Sequence, residues 1–139
     1  MSLPETSAEH VIIDTDVFSF LLRPHDSRAY LYRPHLAGKR IGLSFVTVGE
    51  LYAWAEKYQW AQRRREALEQ AFASAVLLPY DLELCRTYGR VKAALPRGRV
   101  IPSNDLWIAT AAIQHGLRLF THNRRDFEGI PGLRIFSQA

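Results

Sequence analysis

The sequence has little that would place the protein outside a cell or in a membrane. It contains a single cysteine, Cys85, so no disulfide can form within the chain, and we expect a protein of the reducing cytoplasm. No apolar run approaches the roughly 20 residues that a membrane-spanning helix needs. Residues 1–10 lack the basic start and apolar middle of a signal peptide, and internal repeats and low-complexity tracts are missing. These absences argue against a membrane protein, a disulfide scaffold and a repeat array.

Length and composition favour one small folded domain. The chain has 139 residues, of which 47% are hydrophobic and 12% aromatic, enough to bury a single core. We expect residues 1–10 to form a flexible polar extension and residues 11–139 to form the domain. Lysine and arginine number 18 against 14 aspartate and glutamate residues, a net charge of +4, which permits an anionic partner such as a nucleic acid.

Short apolar runs alternate with helical patterns along the chain. This alternation predicts an α/β fold with three α/β/α layers around a short, mainly parallel sheet of four or five strands. The predicted strands are Val11–Asp14, Ile41–Ser44, Val76–Leu78, Leu117–Thr121 and Leu133–Phe136. The predicted helices are Thr15–Leu22, Ser27–Leu36, Val46–Tyr58, Ala61–Ala73, one that Asp81 caps and that runs to about Leu95, and Asn104–His115 ended by Gly116.

Four carboxylates stand where such a fold would bring them together. Asp14, Glu50 and Asp126 each follow a strand-like run, and Asp105 opens a helix. Ligands of open parallel sheets bind beyond the carboxyl ends of the strands, and several acids there repel one another unless a cation neutralises them. Oxygen ligands without a thiolate or a histidine cluster suit Mg²⁺ or Mn²⁺. The pattern therefore points to metal-assisted phosphoryl chemistry.

Three of these acids also have a purely structural explanation. Thr47-x-x-Glu50 has the spacing of a helix capping box, Asp105 would complement a helix dipole, and Asp126 could organise a turn. Asp14 resists such an explanation because it ends an apolar strand and lies close to a second acid, Asp16. Two neutral side chains near Asp126, those of Thr121 and Asn123, offer oxygens that could hold a metal-bound water or orient the carboxylate.

Basic residues flank the proposed site. Loop and turn arginines could contact phosphates without reading base sequence; they are Arg97, Arg99, Arg124 and Arg125. A second basic run, Arg63–Arg65, lies on a predicted helix and is more typical of a solvated face. Trp54 and Trp107 fall within helices and are expected in the core.

Four segments together resemble the PIN-domain ribonucleases, and most closely the VapC-type toxins of bacterial toxin–antitoxin pairs. In order and spacing these are Ile12–Val17, Thr47–Leu51, Asn104–Ala109 and Thr121–Phe127. The resemblance implies an endoribonuclease that depends on Mg²⁺ or Mn²⁺, is usually a homodimer and is restrained by a small antitoxin encoded by an adjacent gene.

Carried onto this chain, the resemblance assigns the acidic site to Asp14, Glu50, Asp105 and Asp126. Position 16 departs from the family pattern, since Asp16 stands where Asn or Ser is common, which makes Asp16 a possible further ligand. Asn123 is an alternative to Asp126 as the residue that faces the metal. An antitoxin segment with an apolar stretch and an arginine would fill the acidic pocket and cover Leu51, Trp54 or Tyr58.

Two other functions are compatible with parts of the sequence. Asp14-Thr15-Asp16 resembles the start of a haloacid-dehalogenase-type phosphatase, in which the first aspartate is a nucleophile, although the chain lacks the Gly-Asp pair of that family. The second alternative is a PIN-like module that binds RNA or protein and cleaves nothing. A set of clustered carboxylates has no evident use in such a module.

Overall fold

The structure is a computed structural model that describes residues 8–139. Most of the expected extension at residues 1–10 lies outside the described residues. The first strand begins at His10, inside the segment that the sequence assigned to that extension, and Arg40 donates its backbone N–H to the Glu9 carbonyl.

In the part of the chain that the structure describes, five parallel strands form one sheet at the centre of the fold. They are β1 (His10–Ile13), β2 (Arg40–Ser44), β3 (Val76–Leu78), β4 (Arg118–Phe120) and β5 (Ile135–Phe136). Their order in the sheet is β3-β2-β1-β4-β5, and every neighbouring pair is parallel. All carboxyl ends therefore meet at the same edge, with β1 in the middle. The α/β prediction and the strand count are confirmed.

Within residues 8–139, seven helices connect and cover the strands. They are α1 (Thr15–Leu21), α2 (Ala29–Leu36), α3 (Phe45–Lys57), α4 (Gln62–Ala73), α5 (Leu82–Ala93), α6 (Ser103–His115) and α7 (Arg124–Phe127). The predicted stop at Gly116 is confirmed, because this residue ends α6 with a φ of 65°, a left-handed conformation that glycine adopts without steric cost. The last helix is a correction, since the sequence predicted only a turn there.

Side chains of alternate residues of β1 pack into two separate hydrophobic cores, one on each face of the sheet. Val11 and Ile13 point into a core built with α1 to α4, whereas Ile12 points into a core built mainly with α5, α6 and α7. This alternation is the period of two of a strand whose two faces are both covered. It produces the predicted three layers. No helix within residues 8–139 is long and apolar enough to cross a membrane.

The start of α3 differs from the predicted capping box. Ser44, the last residue of β2, is the N-cap, and its hydroxyl accepts the Val46 N–H at 3.2 Å. Thr47 is fully buried in the first turn, where its hydroxyl pairs with that of Thr15 at 3.0 Å. Because the N-cap is Ser44, three residues before the predicted cap Thr47, Glu50 is not needed for capping and is free for another role.

Candidate active site: an acidic cleft at the carboxyl edge of the sheet

Asp14 occupies the centre of the carboxyl edge, directly after the middle strand. It is the N-cap of α1, and its Oδ1 accepts the Val17 N–H at 2.9 Å. Its Oδ2 accepts the Thr121 hydroxyl at 2.5 Å. Only 4% of Asp14 is exposed, and its two carboxylate oxygens are fixed in position, one by the first turn of α1 and the other by the residue that follows β4.

Glu50 reaches the same place from α3. Its Oε1 accepts the hydroxyl hydrogen of Thr15 at 2.7 Å, and Thr15 follows Asp14 in the chain. The hydroxyl pair of Thr15 and Thr47 lies behind this contact in the buried interior. The structure therefore gives Glu50 a partner at the acidic edge in place of the backbone contact that a capping box would require.

Asp105 enters from the first turn of α6 and is half-buried. Burial raises the pKa of its carboxyl to about 6, with further contributions from the negative charges of Asp126, Glu50 and Asp16. Burial also raises the pKa of Asp14 to about 7, against the lowering effect of its two hydrogen bonds. Two carboxyls therefore titrate near neutral pH because their charged forms are desolvated and repelled.

These side chains line one small cleft of about 100 Å³. Its walls are formed by Asp14, Thr15, Asp16, Glu50, Trp54, Asp105 and Asn123. Asp126 does not line the cleft. Its carboxylate accepts the side-chain N–H of Asn123 at 2.7 Å, while the backbone N–H of Asn123 is held by Thr121. The cleft is thus faced by Asn123, with Asp126 supporting that amide and contributing negative charge near Asp105.

The donor set of the cleft fits a hard divalent cation. It consists of carboxylate, hydroxyl and amide oxygens, which are the ligands of Mg²⁺ and Mn²⁺, and it contains two carboxyls whose raised pKa values would fall if a cation neutralised them. Within residues 8–139, no three acidic, histidine or cysteine side chains already enclose a common point.

The predicted phosphate-contacting arginines divide into two groups. Arg97, Arg124 and Arg125 are exposed and available to a ligand. Arg99 is instead engaged with backbone carbonyls at the end of α7. Its guanidinium donates to the Glu128 oxygen at 2.6 Å and to the oxygens of Arg125 and Asp126 at 3.3 Å each.

The sequence does not predict Thr15 or Trp54 as residues of the cleft, yet both line it. Trp54 also packs against the first hydrophobic core, as predicted. The predicted cap role of Thr47 is wrong, since Ser44 caps α3. Trp107 packs against the second hydrophobic core, as predicted, and stacks on Tyr88 with ring centroids 4.0 Å apart. A possible signal for Thr15 was its position at the strand–helix junction, where hydroxyl side chains commonly bind neighbouring groups.

Comparison with known proteins identifies this architecture. The sequence profile of the PIN domain matches residues 11–133. Ribonuclease VapC2 of Haemophilus influenzae is 31% identical over 124 residues, covering 88% of this chain and 93% of that protein. The chain belongs to the PIN domain family, among the VapC ribonucleases. This match excludes the phosphatase alternative, because the PIN domain pattern accounts for nearly the whole chain.

Other relatives of this PIN domain agree in fold and in extent. The tRNA(fMet)-specific endonuclease VapC of Salmonella typhimurium is 32% identical over 123 residues, which cover 88% of this chain and 91% of that protein. The solved structure of DNA-bound VapBC from the same species has a TM-score of 0.80 and 27% identity, covering 95% of this chain and 99% of that chain. VapBC-1 from nontypeable Haemophilus influenzae follows with a TM-score of 0.77 and 28% identity, over 92% and 97% of the two chains.

Proposed function

We propose that this PIN domain is an endoribonuclease that hydrolyses RNA phosphodiester bonds at the acidic cleft, with Mg²⁺ or Mn²⁺ as its cofactor. The observation that carries the proposal is the convergence of three carboxylates from separate elements. Asp14 follows β1, Glu50 comes from α3 and Asp105 from α6, and all three line one cleft. The ribonuclease names of relatives that match over nearly their full length support the reaction.

Asp14, Glu50 and Asp105 would hold the cation, with Asp16 as a further carboxylate at the exposed rim and Asn123 as a neutral oxygen. Asp126 would act on this set through Asn123. A bound divalent cation supplies positive charge that stabilises the developing charge of phosphodiester hydrolysis. The protein's own contribution is orientation, since Thr121 and Val17 fix both oxygens of Asp14 and Thr15 fixes Glu50.

The RNA backbone would be bound by exposed arginines of the loop before α6 and of the short helix α7. Arg97, Arg124 and Arg125 carry no ion pair among the described residues, so their charges remain available to phosphates. Such contacts position a nucleic acid without reading its sequence. Arg99 would act differently, by holding α7 and therefore Asn123 and Asp126 in place.

The activity would be restrained by a small antitoxin encoded by an adjacent gene, in the cytoplasm where both proteins are made. Solved relatives are VapBC complexes, which supports such a partner. An antitoxin arginine could pair with the carboxylates bidentately in place of a cation. Trp54 lines the cleft and Tyr58 is 62% exposed, so both are available to the antitoxin. Leu51 is fully buried and is excluded from that contact.

The test is cleavage of an RNA pool by the purified chain with Mg²⁺ or Mn²⁺, with EDTA, and in the Asp105→Asn variant. We expect cleavage that requires the cation, that is lost in the variant, and that leaves 5′-phosphate and 3′-hydroxyl ends. Glu66→Gln, a change of an exposed carboxylate on α4, is the matched control and should cleave normally. Full activity in EDTA, or 2′,3′-cyclic phosphate ends, would refute the mechanism.

Two further measurements separate the remaining functions. RNA binding without cleavage by the wild-type chain would indicate a non-catalytic module. Co-expression tests the toxin role, for which we expect growth arrest by the chain alone and rescue by the neighbouring gene product. A chain that is harmless on its own, and that its neighbour neither binds nor inhibits, would contradict the toxin role while leaving the nuclease role intact.

A further inference from the structure

The basic run Arg63–Arg65 at the start of α4 divides into two parts with different uses. Arg65 is structural, because its guanidinium donates to two backbone oxygens, one in α3 and one in the turn after it, at 2.8 and 2.9 Å. It also lies 3.4 Å from the carboxylate of Glu56. Arg63 and Arg64 are exposed, as the sequence indicated, and neither takes part in an ion pair among residues 8–139. The fold therefore leaves the charges of these two residues unused.

Arg63 and Arg64 line a cavity of about 320 Å³ between the end of α1 and the start of α4. A third arginine, Arg23, lines it from the α1 side. The remaining walls are apolar, and they are formed by Leu22, Pro24, Ala61 and Ala67. None of the described residues that line the cavity is acidic. Here this cavity with its three arginines is termed the α1–α4 pocket.

The arginines of the α1–α4 pocket have little negative charge beside them. Arg23 lies 3.8 Å from the carboxylate of Asp26, but Asp26 is already bound by the Arg28 guanidinium through hydrogen bonds of 2.8 and 3.0 Å. Desolvation lowers the pKa of the Arg64 guanidinium, and the positive charge of Arg23 adds to this lowering. Like charges that are held together in this way favour the binding of an anion between them.

Arg64 is ordered in the absence of a ligand. Its guanidinium carbon lies 3.7 Å from the ring centroid of Trp60, whose side chain is buried. A guanidinium that stacks on an aromatic face keeps the N–H groups at its edge free for other contacts, and two of them can pair with two oxygens of one phosphate. Such a side chain loses little conformational entropy on binding. The pocket therefore fits a phosphate group, and its apolar walls fit the sugar or base that the phosphate carries.

The α1–α4 pocket lies on the same side of α1 as the rim of the acidic cleft. Asp16 lines the cleft and Arg23 lines the pocket, and their separation in the sequence corresponds to about two helical turns, or about 10 Å along the helix axis. The backbone continues to turn as far as Arg23, whose N–H donates to the Phe20 carbonyl at 3.1 Å. An RNA strand with one phosphodiester bond in the cleft is therefore long enough to place a nearby phosphate in the pocket.

We propose that the α1–α4 pocket binds one backbone phosphate of the RNA strand whose neighbouring phosphodiester bond lies in the cleft. This inference rests on the nuclease function proposed above and adds to it a subsite that the pattern of four carboxylates does not contain. Arg23, Arg63 and Arg64 supply the positive charge, and Leu22 and Pro24 contact the sugar or base. A phosphate contact does not read base sequence, so the pocket contributes affinity and fixes the path of the strand across the cleft.

The test compares RNA binding by Arg63→Gln/Arg64→Gln with RNA binding by a matched control, Lys39→Gln/Arg40→Gln. The control also removes two neighbouring positive charges, but at the start of β2, on the edge of the sheet opposite the cleft. Both pairs are made in the Asp105→Asn chain, so that RNA stays intact. Binding of a fluorescein-labelled single-stranded RNA of random sequence is measured by anisotropy in Mg²⁺ at several salt concentrations, and circular dichroism checks the fold of each chain.

We expect Arg63→Gln/Arg64→Gln to bind RNA about tenfold more weakly than the parent, as for the loss of a charge-assisted contact with a phosphate. Its dependence of log affinity on log salt should be flatter by roughly 0.7, the value of one phosphate contact with a single strand. The control should match the parent in both quantities. With Asp105 intact, the same double change should raise KM for RNA about tenfold and leave kcat nearly constant, because it removes a contact that is equal in the ground state and the transition state.

Chemical protection gives a second readout that needs no substitution in the α1–α4 pocket. Phenylglyoxal modifies accessible arginine side chains, and the modified peptides are identified by mass spectrometry. The random-sequence RNA should slow the modification of Arg63 and Arg64, whereas Arg40 should react at the same rate with and without RNA.

The outcomes separate this proposal from the nuclease function. Equal affinity and salt slope in the two double variants, or modification of Arg64 that RNA does not slow, overturns the proposal even if the chain cleaves RNA. A parent chain that does not bind RNA overturns it as well. Protection of Arg63 and Arg64 in a chain that cleaves nothing supports the phosphate site and contradicts only the nuclease function. If Arg63→Gln/Arg64→Gln binds RNA normally but no longer captures the neighbour-encoded protein, the proposal is also overturned, since the pocket then binds that protein.

Discussion

Thr121 donates its hydroxyl hydrogen to Oδ2 of Asp14 at 2.5 Å, although 107 positions separate the two residues in the sequence. The contact joins the ends of β1 and β4 beneath the cleft. Thr121 Oγ1 also accepts the backbone N–H of Asn123 at 2.9 Å. One hydroxyl therefore orients the central carboxylate and the amide-bearing turn at the same time.

Removal of this hydroxyl should weaken cation binding more than it disturbs the fold. We expect Thr121→Val, which keeps the shape of the side chain, to lower Mn²⁺ affinity measured by calorimetry and to reduce stability by roughly 1–3 kcal/mol, the usual value of a hydrogen bond to a charged group. Thr121→Ser retains the hydroxyl and should bind Mn²⁺ nearly as the parent does. Equal Mn²⁺ affinity in the valine variant would show that Asp14 does not depend on Thr121.

The raised pKa of Asp14 predicts an unusual dependence of stability on pH. Its pKa is about 7 in the folded chain against an ordinary value of 3.8 for an aspartate, so between about pH 4 and pH 7 the folded state holds a proton that the unfolded state has released. The free energy of unfolding contributed by this group is therefore greatest at low pH and falls as pH rises, by at most about 1.4 kcal/mol per unit.

The measurement is urea unfolding in EDTA from pH 5 to pH 8, compared with Asp14→Asn. The parent should lose stability across this range, whereas the variant, whose amide does not titrate, should lose stability mainly below about pH 6, where Asp105 still ionises. Addition of Mg²⁺ should restore the parent at pH 8, because a cation binds the deprotonated site. A parent profile that matches the variant would mean that Asp14 ionises at an ordinary pH.

Glu50 and Ser44 should separate catalysis from helix capping. Ser44→Ala removes the cap of α3 and should cost about 1 kcal/mol of stability. Glu50→Gln leaves that cap intact and should abolish cleavage with little loss of stability, because an amide oxygen can still accept from Thr15. If Glu50→Gln cleaved RNA normally, the carboxylate would have no part in the reaction.

The arginines near the cleft should differ in how they affect RNA binding. Arg97→Ala should weaken binding to all RNA sequences and flatten the dependence of log affinity on log salt by roughly one unit or less. Arg99→Ala should instead lower the melting temperature, because three backbone carbonyls at the end of α7 lose their donor. A changed salt slope at Arg99 together with normal stability would contradict the role that we assign to it.

The sequence by itself determined the layers and the order of strands and helices along the chain. Of the four carboxylates predicted as the site, it also placed three correctly at the cleft, Asp14, Glu50 and Asp105. Short apolar runs and helical periods are local patterns, and Asp14, Glu50 and Asp105 each stand at a junction whose position in the fold follows from the parallel sheet alone. The family resemblance depends on the same strand–helix junctions, because each short motif that carries it contains one of these carboxylates.

The tertiary structure alone decided how the side chains are directed. Helix α3 begins at Phe45, with Ser44 as its cap, so Thr47 and Glu50 do not form the predicted capping box. Glu50 instead accepts a hydrogen bond from Thr15, which lies far away in the sequence, just after β1. The short helix α7 turned Asn123 to the cleft and left Asp126 to support it. Such contacts depend on where two remote segments meet, and a rotation of one residue on a helix moves a side chain by about 100°, which no local pattern specifies.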